Sequence, residues 1–232
     1  MGGAGVTDFV DYQLEDGIAT LGMDDGKANA FGMQMMAALT EGLDRAAASA
    51  DVVMIMGRPG LLSAGFDLKV INGPREGVRA MVHAGAELLL KVYMHPQPVI
   101  IGCTGHAVAA GALLLCAGDY RIGVSGDYRI GLNETAIGLG LPTFGLELAR
   151  DRLDNRYLNM ATLGAELYPP STAAAVGYLD RAERPGDFDA ALAAKAAQLQ
   201  ALDREAYVLA KRRLRGAREA LIRASLPDEL NA

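Results

Sequence analysis

A chain of 232 residues that is 51% hydrophobic and 22% charged can bury a full core and reads as one domain with at most a small appendage. Its net charge of −6 lacks the basic field that neutralises phosphate backbones, which excludes nucleic acid as the main partner and leaves any polyanionic ligand to local cations. Cys103 and Cys116 lie in apolar surroundings without a second ligand at metal-binding spacing, so buried free thiols are expected and no metal site is.

Residues 9–13 and 18–23 are short strand-like runs, and Glu15-Asp16-Gly17 between them signals an antiparallel hairpin. From 28 to 48 the period becomes helical, with Met33, Met36, Leu39 and Leu43 on one stripe and Glu41, Asp44 and Arg45 off it. Those methionines read as core filler. Residues 52–56 are continuously apolar up to Gly57, as in a strand buried on both faces. The Gly/Pro-punctuated stretch 57–65 reads as a loop, 76–93 as a helix, and 99–102, after Pro96 and Pro98, as a second buried strand. Strand, helix, strand implies a parallel crossover. The Ala/Leu-rich stretch 107–117 suits a buried helix, and 120–124 and 128–130 suit further short strands. From Thr143 onward helix formers dominate, interrupted near Pro169-Pro170 and Pro185-Gly186.

The longest apolar run, between His106 and Asp119, is far short of the ~20 residues that cross a bilayer, so no membrane span is expected. No secretory pattern opens the chain, and Val6 breaks the myristoylation pattern, so a cytoplasmic location is expected. Without repeats or a clear linker, 1–232 reads as a single domain, with a mixed core to about residue 160 and a helical region over 161–232. The last helix carries Lys211, Arg212, Arg213, Arg215 and Arg218, read either as a solvated face or as cations that meet ligand phosphates.

Ser63 sits in Gly60-Leu61-Leu62-Ser63-Ala64-Gly65, the wrong spacing for a hydrolase elbow. No P-loop is present, and Gly138-Leu139-Gly140 runs into Leu141-Pro142, which is no dinucleotide fingerprint. His83, His95 and His106 are scattered, with structural or surface roles expected. What remains are Ala28-Asn29-Ala30, Ser63-Ala64-Gly65-Phe66-Asp67-Leu68, Ala109-Ala110-Gly111 and Gly131-Leu132-Asn133-Glu134-Thr135.

In this order and spacing, over about residues 9–218, these segments resemble the crotonase (enoyl-CoA hydratase/isomerase) family. Asp119-Tyr120-Arg121-Ile122, the run from Tyr128 to Thr135 and Leu167-Tyr168-Pro169-Pro170 look most like its mitochondrial-type enoyl-CoA delta isomerase branch. The resemblance implies an α/β fold, a crotonase-like spiral of repeated ββα units with a helical C-terminal region, assembled as a homotrimer or a dimer of trimers. It also implies an acyl-CoA thioester as partner and a place in fatty acid and lipid metabolism, with coenzyme A part of the substrate and no separate cofactor.

Removing the α-proton of a thioester makes an enolate, whose oxyanion needs rigidly aimed donors. By resemblance these are the backbone N–H groups of Phe66 and Ala110. Ala110 stands where the family commonly has Gly, so it can serve only if its φ is not strongly positive. Ala28, Ala30, Ala64, Phe66, Asp67, Leu68 and Ala110 match the positions that bind CoA or substrate. Glu134, between short apolar segments, would by itself be a loop or cap carboxylate; the resemblance makes it the acid/base, with partial burial raising its pKa. Family hydratases hold a second carboxylate where this chain has Leu113, and no acid occurs from Ala107 to Gly118. The expected reaction is therefore isomerisation of β,γ-enoyl-CoA to α,β-trans-enoyl-CoA. The alternatives are an enoyl-CoA hydratase and a non-catalytic acyl-CoA-binding homologue.

Overall fold

The computed structural model describes residues 5–6 and 9–229. The short strand β1 (Gly5–Val6) flanks the predicted hairpin of β2 (Val10–Glu15) and β3 (Ile18–Met23). Asp16 and Gly17 turn that hairpin with φ of 47° and 78°, the left-handed pair that a tight two-residue turn requires. Helix α1 (Met33–Ser49) then buries Met35, Met36, Leu39 and Leu43, while Met33, placed on the same stripe by its spacing, is 53% exposed in the first turn.

The chain continues through β4 (Val52–Met56), β5 (Gly60–Ser63), the single-turn α2 (Leu68–Ile71), α3 (Arg75–Tyr93), β6 (Val99–Cys103), β7 (Gly105–Val108) and α4 (Ala110–Ala117). It then forms β8 (Tyr120–Val124), β9 (Ile130–Gly131), a 3-10 turn (Thr135–Ile137), α5 (Thr143–Arg152), α6 (Leu158–Thr162) and α7 (Pro170–Val176). The short strand β10 (Arg181–Glu183) precedes α8 (Phe188–Gln200) and α9 (Arg204–Glu229). The main sheet has the order β1-β2-β3-β4-β6-β8-β10 and is parallel from β3 onward, as the strand–helix–strand pattern predicts. Its apolar strands are covered on one face by α1, α3 and α4, and on the other by Phe188, Leu192 and Ala196 of α8 against Val52, Ile100 and Ile122. Cys103 and Cys116 are buried free thiols, as expected.

Two local readings change. The stretch read as a loop contains β5, and the first residues of the stretch read as one helix form β7, so α4 starts only at Ala110. These strands pair with β9 in a separate parallel sheet, β5-β7-β9. With two to four residues apiece they are too short to show an alternating pattern.

The basic stretch on α9 is split, and its buried members serve neither as a solvated face nor as phosphate contacts. Lys211 and Arg215 are buried and both reach the carboxylate of Asp119, at 2.6 and 2.9 Å. Lys211 also donates to the carbonyls of His95 and Gln97, and Arg215 donates to the carbonyl of Tyr93 while lying over its ring. Arg218 pairs with Asp151 and Glu147, which leaves Arg212 and Arg213 as the exposed members. Burial pushes the Lys211 amine down to about 8, against the pull of Asp119. Removing one member of such a buried group strands the others. Asp119→Asn is therefore expected to cost about 3–5 kcal/mol in denaturant unfolding, and Arg212→Glu within about 0.5 kcal/mol; similar small losses for both would contradict this account of α9.

Candidate active site

Two loops meet above the small sheet. Ala64 N–H donates to the carbonyl of Ala28 (3.0 Å) and Phe31 N–H to that of Gly65 (2.8 Å), so 28–31 and 64–67 run side by side, with a parallel bridge between Phe31 and Phe66. Asn29 is wholly buried in a left-handed conformation and ties the segments together. Its side chain donates to the carbonyls of Met23 (3.0 Å) and Leu62 (3.2 Å), and its own carbonyl accepts from Ser63 Oγ (2.7 Å). Asp25 holds the turn from outside by accepting the N–H groups of Lys27, Asn29 and Ala30. Partial burial works against its charge, but those donors outweigh it and keep the carboxyl below its ordinary value.

The second element is the start of α4. A β-carbon at Gly65 would lie 2.7 Å from Ala109 Cβ, 3.2 Å from the Val108 carbonyl oxygen and 3.3 Å from the Ala110 nitrogen. Gly65 escapes the clash and adopts φ 99°, which few other residues tolerate. The contact brings the start of α4 against the residue that precedes Phe66, and among the described residues no hydrogen bond engages the N–H of Phe66 or of Ala110. Ala110 itself is helical. The unusual backbone belongs to the preceding Ala109, with φ 52° and ψ −123°, so an alanine at 110 keeps its N–H available. Sequence reasoning missed Ala109, because nothing in its residue type announces a strained position.

Glu134 arrives from the third strand. Val108 of β7 pairs with Gly131 of β9 and Ala109 N–H donates to the Gly131 carbonyl (3.0 Å), so the chain leaves Gly131 beside the start of α4 and reaches Glu134 three residues later. There it precedes the 3-10 turn, its carbonyl accepting from Ile137 and Leu139. Burial raises its carboxyl above the ordinary value, against the N–H groups of Glu134 and Asn133. One carboxylate oxygen is enclosed without a hydrogen-bond partner. Leu113 is 1% exposed one turn into α4, and a β-carbon at Gly145 would touch both Leu113 and Leu141 at 3.3 and 3.1 Å, so the wall there is apolar.

The structure thus brings Ala28, Ala30, Ala64, Phe66 and Ala110 together. Asp67 caps α2 through a bond from Lys69 N–H, and Leu68 is 61% exposed at the edge of the site.

The enoyl-CoA hydratase/isomerase family model matches residues 13–226. Among curated proteins, rat mitochondrial enoyl-CoA delta isomerase 1 is 28% identical over 177 residues, 74% of this chain and 61% of its own length. The match thus spans under two thirds of that relative. A solved structure of an enoyl-CoA hydratase/isomerase family protein from Pseudomonas syringae is 39% identical, with a TM-score of 0.95 over 97% of both chains. An enoyl-CoA isomerase from Mycobacterium tuberculosis is 35% identical, with a TM-score of 0.91 over 97% of this chain and 98% of its own.

The raised carboxyl of Glu134 has a stability consequence. The folded state keeps this proton after the unfolded chain has lost it, so its contribution declines as pH rises from the ordinary 4.5 through the raised value. At neutral pH the buried charge is a net cost. Glu134→Gln is expected to melt higher than the parent at pH 7, with the gap closing as pH falls through the raised value toward 4.5, in thermal scans over pH.

Proposed function

The chain belongs to the enoyl-CoA hydratase/isomerase family, and from that premise we propose that it moves the double bond of a β,γ-enoyl-CoA to the α,β-trans position, with Glu134 as sole acid/base. The observation that carries this reading is one enclosed, unpartnered carboxylate oxygen on Glu134, together with the buried Leu113 at the position where the resemblance would put a hydratase's second carboxylate in sequence.

In this mechanism the thioester oxygen lies between the N–H groups of Phe66 and Ala110. The positive end of α4 adds to their field. Glu134 takes the α-proton, and the electron pair spreads through the carbonyl and the β,γ double bond as a dienolate whose oxyanion those donors hold. The same carboxyl then returns the proton to the γ-carbon, which leaves the double bond at α,β and Glu134 ionised again. A carboxyl whose pKa burial has raised is the stronger base for the first step and still a competent acid for the second.

The pantetheine and adenine parts of CoA fit the paired backbones of 28–31 and 64–67. With Lys211, Arg215 and Arg218 committed internally, the exposed Lys27 and Lys69, adjoining Ala28 and Leu68, become the cations for its phosphates. A homotrimer or dimer of trimers accompanies this reading. It is supported by Ile137, Leu139, Met160 and Leu163, which leave an apolar surface exposed near the Glu134 turn. Among the described residues no helix is long and apolar enough to cross a membrane.

A panel of β,γ- and α,β-enoyl-CoA thioesters, with isomerisation and hydration followed separately, tests the proposal. The parent is expected to isomerise the β,γ-substrates, and Glu134→Gln to retain binding while turnover falls by about 10²–10⁴-fold. Hydration without isomerisation would assign a hydratase, and tight binding without turnover a binding homologue.

A further inference from the structure

Gly85 sits inside the 19-residue helix α3, where glycine costs helix stability relative to alanine. Its φ is not positive and it ends no helix, so neither of the usual backbone reasons accounts for it. A β-carbon there would lie 2.4 Å from Cε1 and 2.5 Å from Cζ of Phe66, while the next atom, Met36 Sδ, would be at an ordinary 3.7 Å. The ring of Phe66, and not the approach of α1 to α3, is therefore what excludes a side chain.

Phe66 is gripped from three directions. Its ring rests on α3 at Gly85, its backbone bridges Phe31, and the preceding Gly65 is wedged against Ala109 and Ala110. A side chain at 85 would lift the ring off α3. The ring would then turn into the space beside the donor pair, or draw the Phe66 backbone away from Phe31; either outcome disturbs the N–H assigned above to the oxyanion.

We propose that Gly85 is a positioning residue: a bare patch on α3 that seats the Phe66 ring and thereby sets the Phe66 N–H toward the thioester oxygen. The inference rests on the proposed function, because it needs that N–H to be a donor. It adds a residue from a helix that carries none of the matched family motifs.

The test is a double-mutant cycle of Gly85→Ala and Phe66→Leu, with turnover, KM, melting temperature and the carbonyl stretch of bound, carbonyl-labelled butyryl-CoA measured for all four proteins. Gly85→Ala is expected to lower kcat at least about tenfold with KM nearly unchanged, and to weaken the red shift of the bound carbonyl, because one oxyanion donor is misaimed. In the Phe66→Leu background the smaller side chain leaves room, so the same Gly85→Ala change should have little effect on kcat and should raise the melting temperature. Equal losses in both backgrounds, or a Gly85→Ala protein with parental kcat and carbonyl shift, would overturn the proposal. A parent that neither turns over nor shifts the carbonyl would overturn the oxyanion reading and the positioning role with it. The seat itself would still be read from the reversal in melting.

Discussion

The site depends on one close approach, that of Gly65 to Ala109 and Ala110. Backbone donors have no side chain with which to reach an oxygen, so two of them can converge only if the main chains that carry them nearly touch. The chain permits this with small residues on both sides of the contact. Gly111 presses on Ser63, where a β-carbon would lie 2.5 Å from the carbonyl oxygen, and near the other end of β5 a β-carbon at Gly105 would lie 1.9 Å from the Gly60 carbonyl carbon. β5 and β7 are thus zipped at both ends by positions that admit no side chain, and β9 adds the segment that leads to Glu134. The small sheet is less a part of the core than a jig that holds three chain segments in register.

Much of this was readable from residues alone, and what was not has physical reasons. The Asp16-Gly17 turn, the apolar strands β4 and β6 and the stripe of α1 obey local rules of conformation and period, and they appear where those rules put them. The strands of the small sheet do not, since two to four residues carry no period and their stability comes from partners 23–45 positions away. Among site residues, Glu134, Phe66 and Ala110 stood out through motif context. The burial of Asn29 and the strain at Ala109 depend on contacts across the chain that composition does not reveal.

The basic run on α9 shows the same limit from the side of charge. Five cations within eight residues look like a surface property, yet Lys211 and Arg215 are among the few buried charged side chains of the described residues. The pattern is readable only in retrospect, since 211 and 215 are four apart and share the face that meets Asp119, whereas 212 and 213 point away. An acidic protein has kept part of its positive charge for internal use.

The Asp119 cluster also bears on the order in which the molecule forms. Lys211 meets Asp119 across 92 residues of chain, and Arg215 meets the Tyr93 carbonyl across 122. Neither charge can be desolvated favourably until β6, α4 and the start of β8 already stand at their ends, because Asp119 is itself fixed by the N–H of Val99. α9 therefore has no native place to go in the early stages of folding, whatever helicity it gains on its own. Its docking belongs to the final, slow steps expected of long-range contacts, and a chain paused just before them would hold an assembled sheet with a bare carboxylate at the start of its inner strands β6 and β8.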